Sequence, residues 1–132
     1  MLKNALLLMA VFTCIAFIGC QTNDTPITVD QGTNHKPNAP GNPVPADGST
    51  GVGAFVTLQW TCTDPDAGDT VKFDVYASTS NPPGTLKVSN YNKTAFDLGL
   101  LPPEMTIYWK VVARDNGGLS TTGPVWTFKR GN

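Results

Sequence analysis

Charge is scarce in this chain. Asp, Glu, Lys and Arg make up 14% of its 132 residues, where soluble domains usually carry about a quarter. The basic residues stand apart from one another and the net charge is −1. No cationic stripe can therefore track a phosphate backbone, which excludes nucleic acid as a partner. Histidine occurs once, as His35. No helical period runs through the sequence, and thirteen Gly with eleven Pro favour many turns over long helices. The longest apolar run, Ala5 to Ile18 with Thr13 as its one polar residue, falls short of the roughly 20 residues a bilayer span needs.

That run has the length of a signal-peptide core, and Lys3 supplies its positive start. It closes in Phe17-Ile18-Gly19-Cys20, which resembles the bacterial lipobox, where a small residue precedes a cysteine that is lipidated and becomes the new N-terminus. Phe17 stands where that motif usually has Leu. The plainer alternative is an ordinary signal peptide cut near a cysteine. The resemblance implies a signal peptide over 1–19, a lipid on Cys20 and a membrane partner reached through that lipid. Several acyl chains on one residue would hold it firmly, since each buried CH₂ contributes about 0.8 kcal/mol. Of the three cysteines, Cys14 then leaves with the signal and Cys20 is modified. Cys62 remains alone, with no partner for an intramolecular disulfide, and reads as a small buried hydrophobe.

Residues 20–39 read as the lipidated cysteine followed by a flexible tether. The segment is rich in Thr, Asn, Asp, Gln and Pro, and Ile27 and Val29 are its only branched aliphatics, too few for a core. From residue 40 the texture changes. Pro40, Pro43 and Pro45 lead into Asp47-Gly48, an edge-strand opening. Strands follow at Phe55–Thr61, Val71–Ala77, Thr85–Ser89, Thr94–Leu98, Ile107–Arg114 and Val125–Lys129, with turn residues between them. The clearest runs from Ile107 to Arg114. Ile107, Trp109, Val111 and Ala113 fall on one side, and Tyr108, Lys110, Val112 and Arg114 on the other. Seven short strands without a repeat predict a single all-β domain over 40–130, an antiparallel two-sheet sandwich. Trp60, Phe73, Val75, Trp109, Val111, Trp126 and Phe128 are its expected core.

The residues Pro40-Gly-Asn-Pro43, Asp47-Gly48, Val56-Thr-Leu-Gln-Trp60, Phe73-Asp-Val-Tyr76, Leu101-Pro-Pro103 and Trp109-Lys-Val-Val-Ala-Arg-Asp115 together resemble a bacterial fibronectin type III-like domain, of immunoglobulin-like fold. Trp60 matches that family's buried Trp on the second strand, and Trp109, Val111 and Ala113 match inward positions on the sixth. One position departs. Ile107 stands where the family has the tyrosine of its corner motif, so that hydrogen bond is expected to be missing, with Ile107 packed instead. The resemblance implies an exposed spacer, adhesion or binding module and no reaction.

Two groups of residues are candidate sites. Asp64, Asp66 and Asp69 lie between the second and third strands, and Asp115 begins the loop after the sixth. The expected topology brings these loops to one pole, where clustered carboxylates could supply the six to eight oxygens that calcium takes. The plain alternative is that Asp, Asn and Gly are what tight loops are made of. No other cofactor is expected. The second group is an outward aromatic patch of Tyr76 and Tyr108, suited to a protein or glycan partner, against the alternative of an ordinary half-solvated sheet face. Catalysis has little to stand on, because the single imidazole lies in the tether and Cys62 should point inward. These readings converge on a non-catalytic lipoprotein of the bacterial cell envelope whose domain binds or adheres to a partner. The alternatives are a structural spacer or subunit of an envelope assembly and a calcium-stabilised adhesion module. Gln21 after the lipidated cysteine tilts the location towards the outer membrane.

Overall fold

A computed structural model describes residues 32–132. The signal peptide, Cys20 and most of the tether lie outside the described residues. The described part holds nine strands: β1 (Gly41–Val44), β2 (Ser49–Val52), β3 (Phe55–Thr61), β4 (Lys72–Ser78), β5 (Leu86–Tyr91), β6 (Ala95–Leu100), β7 (Thr106–Arg114), β8 (Ser120–Thr122) and β9 (Trp126–Arg130). They form two sheets, one ordered β1-β3-β6 and the other β2-β9-β7-β4-β5, with β8 pairing along β7.

The long strands form where alternation is cleanest. In β3, Val56, Leu58 and Trp60 are buried while Phe55, Thr57, Gln59 and Thr61 face out. In β7, Ile107, Trp109, Val111 and Ala113 are buried, Thr106, Tyr108, Lys110 and Val112 are half-buried and Arg114 is exposed, so one strand carries both a core face and a wet face. Strands β4 and β7 run in unbroken antiparallel register from Lys72↔Arg114 to Ser78↔Tyr108. The inner faces of the two sheets meet in one core in which all seven expected residues are buried. Trp109 is fully buried and packs on Trp126 in a tilted pair with ring centroids 4.6 Å apart, and Trp60 meets Phe73 edge-on at 5.4 Å, a preferred aromatic geometry. Ile107 is buried in the place of the corner tyrosine.

Seven of these strands are the expected ones, and two short strands add to them. After β1 the chain turns at Asp47-Gly48, where Gly48 takes a φ of 74° that a side chain would resist. It then crosses to the other sheet, where β2 runs parallel to β9. Strand β8 extends the β9 side of β7 at Val112–Arg114.

The segment before β1 is docked. Pro37 and Pro40 are fully buried, the Asn38 N–H donates to the Thr63 carbonyl at 2.9 Å, and the Thr121 hydroxyl donates to the Pro37 carbonyl at 2.6 Å. The flexible character expected up to residue 39 therefore does not hold for Asn34–Ala39. Few hydrophobes are needed there, because two prolines and several polar bonds fix the strap to loops that the sandwich already holds.

Candidate functional site

The loop after β3 and the loop after β7 do emerge at one pole. Asp64, Asp69 and Asp115 each bring a carboxylate oxygen within 4.8 Å of the others. Asp115 is only 8% exposed. One of its oxygens accepts from the Leu119 N–H at 2.8 Å and the other from the Asn34 amide at 3.1 Å. Asp64 Oδ1 accepts from the Asp66 N–H at 2.9 Å, while its buried Oδ2 has no partner among the described residues. The Asn116 amide, with its nitrogen towards Asp69, donates to both carboxylate oxygens at 3.1 Å. Three like charges so close would repel, and the two amides and two backbone N–H groups offset much of that.

Asp66 does not join this cluster. Its carboxylate is taken by His35, whose Nδ1 lies 2.9 Å from Oδ1 and whose backbone N–H donates to Oδ2. The hydrogen bond and charge of Asp66 raise the His35 imidazole above its ordinary value, and the same bond lowers Asp66. No local pattern signals this pairing, since the partners are 31 positions apart and His35 lies in a segment without alternation. For calcium, the fit is partial. Asp64 Oδ2 and the Asp69 carboxylate are the oxygens a cation could take directly, while both Asp115 oxygens already accept N–H donors.

Tyr76 on β4 and Tyr108 on β7 both stand on the outer face of the larger sheet. Tyr76 pairs with Lys110, and Ser78 with Tyr108, so the tyrosines are diagonal neighbours across one ladder. Both are half-buried. The Lys110 ammonium sits 5.2 Å from the Tyr76 ring centroid, within cation–π range. Beside Tyr108 is a hollow of about 260 Å³, lined with Ser49, Thr50, Thr106, Thr127 and Lys129 among others. The Ser49 hydroxyl is buried without a hydrogen-bond partner among the described residues. No local pattern signals this row of hydroxyls, because β2, which brings Ser49 and Thr50 beside Tyr108, is a four-residue strand without apolar alternation.

Cys62 lies just past β3, half-buried against the core. Its sulfur is 3.2 Å from the Asn38 carbonyl, and burial with nearby Asp64 pushes the thiol up, which disfavours the reactive thiolate.

No protein-family model matches the chain, and no curated protein does either. Solved structures do. The chain is similar to the α-L-rhamnosidase of Dictyoglumus thermophilum, with a TM-score of 0.58 and 16% identity over 74% of this chain and 12% of that one. It is also similar to the Streptomyces avermitilis α-L-rhamnosidase complexed with L-rhamnose, with a TM-score of 0.53 and 18% identity over 73% and 10%. A third match is the fibronectin type III domain of human fibronectin type III domain containing protein 3, with a TM-score of 0.50 and 21% identity over 76% and 92%. The chain thus spans about a tenth of each rhamnosidase. At these identities the likeness establishes the fold: an all-β, two-sheet sandwich similar to a fibronectin type III domain.

Proposed function

We propose that this chain is a non-catalytic lipoprotein of the bacterial envelope, anchored through Cys20, whose sandwich domain binds a protein or glycan partner through the outer face of its larger sheet. The observation that carries the reading is Tyr108 bordering a hollow of hydroxyls, with Tyr76 and Lys110 alongside. An aromatic body beside a hydroxyl-lined hollow can stack on an apolar or sugar face while its neighbours bond the polar groups. Two of the structural neighbours are rhamnosidases, so a glycan stands beside protein as a partner class. The outer membrane is the location this reading favours, on the strength of Gln21. The test is capture from envelope protein fractions and a panel of surface polysaccharides by the intact chain and by Tyr76→Ser/Tyr108→Ser. The double variant should melt like the parent and lose the partner. Undiminished capture would refute the tyrosine face, and a fixed neighbour retained by both would favour the spacer or subunit role.

A second reading rests on the partnerless Asp64 Oδ2 amid three carboxylates. Here Asp64 and Asp69, with Asp115 behind them, hold calcium and stiffen the pole. A ligand bound only by the folded state at 100 times its dissociation constant adds about 2.7 kcal/mol, and each kcal/mol moves the midpoint of so small a domain by roughly 4–8 °C. Millimolar calcium should then raise the melting temperature by about 10–20 °C over chelator. An unchanged melt would remove the metal.

A further inference from the structure

At the pole opposite the aspartates the two sheets part between the β5 and β6 edges. The gap holds a slot of about 300 Å³, lined by Lys87, Leu98, Leu101, Met105 and Ile107 among others. Apart from Lys87 the lining is mostly aliphatic and includes the hydroxyls of Thr79 and Thr85, with that of Ser78 already bonded to the Ser80 backbone. Lys87 is the one charged residue in the lining, and no carboxylate lies within salt-bridge distance of its ammonium among the described residues.

We propose that this slot binds a free medium-chain carboxylate, with the tail on Leu98, Leu101, Met105 and Ile107 and the head group on Lys87 and the neighbouring hydroxyls. The volume is at the small end for ligand pockets and equals roughly ten water volumes, which suits a chain of about eight carbons. Charge complementarity selects the head: a cation beside an apolar floor favours an anionic amphiphile over a neutral one. The site is separate from the tyrosine face, and neither reading depends on the other.

The test uses the methyl signal of Met105, the only methionine outside the first nine residues. The full chain in lipid nanodiscs, methyl-labelled at methionine, is titrated with hexanoate, octanoate and octanol, and Met105→Leu assigns the signal. Octanoate should shift the Met105 resonance saturably at millimolar concentration or below. Affinity should rise about fourfold for each added CH₂ up to octanoate, and octanol should bind at least about tenfold more weakly than octanoate. Lys87→Gln should bring octanoate to the level of octanol and leave octanol unchanged. Non-saturable shifts, equal binding of acid and alcohol, or indifference to Lys87→Gln would each overturn the proposal. So would a leucine-terminated peptide that shifts Met105 where octanoate does not, since the slot would then be a peptide site.

Discussion

Asp74 offers the sharpest test of how this sandwich is held together. It lies at an outward position of β4, yet it is only 6% exposed, because β5 and Arg114 close over it. Its carboxylate accepts from the Ser89 hydroxyl at 2.7 Å, the Asn90 N–H at 3.0 Å and Arg114 Nε at 3.0 Å. Asn90 has a φ of 55°, so the carboxylate also holds a strained residue of an edge strand whose register is already irregular. Hydrogen bonds to a charged group are worth about 1.5–3 kcal/mol each. Arg114 is half exposed, so its share is discounted to about 1 kcal/mol or less, and part of the rest returns as water reaches the freed groups. Asp74→Ala should therefore cost about 3 kcal/mol and lower the melting temperature by roughly 12–24 °C. Asp74→Asn, which keeps one acceptor, should cost about half of that. Burial alone would raise this carboxyl, but the bonds from Ser89, Asn90 and Arg114 outweigh it and hold Asp74 below its ordinary 3.8. A depressed folded value means the contribution is present above the unfolded value and fades as pH falls through the folded one. The gap between parent and Asp74→Asn should accordingly be full at pH 7 and close in strong acid. Thermal unfolding followed by tryptophan near-UV circular dichroism reads both effects. A loss for Asp74→Ala below about 1 kcal/mol, or a gap that does not depend on pH, would refute the reasoning.

Two further outcomes follow from the core and from the strap. Trp109→Ala should cost about 3–5 kcal/mol out of a total of roughly 5–15, and a urea midpoint that barely moves would show that Trp126 and its neighbours collapse into the space. His35 should titrate above 6.5 by NMR because Asp66 favours its charged form. Its contact with Asp66 is then full below the unfolded value and lost as pH rises through the raised folded one, and Asp66→Asn should return the imidazole to its ordinary value.

The central strands were legible because each buries one face and wets the other, and β3, β4 and β7 wrote that pattern plainly. Strands β2 and β8 left no such trace. They are short and mostly exposed, and they exist because β9 and β7 offer them a pairing edge from far along the chain. Asp64, Asp69 and Asp115 converge as their loops required. Asp66 does not, because its partner His35 is placed by prolines whose docking no local pattern announces. Asp74 looked like any polar residue on an outward position, and only the curl of β5 buries it. Phe55 and Leu100 show the converse. They are apolar partners across the β3–β6 ladder, yet 79% and 66% exposed, because strand parity puts both on the outside.

The parallel pairing of β2 with β9 has a mechanical consequence. β2 follows the strap and β1, while β9 ends the sandwich, and both run in the same direction. A load entering before β1 and leaving after β9 would pull these two strands lengthwise in opposite senses. Their hydrogen bonds would then be strained together, in shear, rather than opened one after another. A domain with this clasp resists stretching along its own axis better than it resists peeling at an edge.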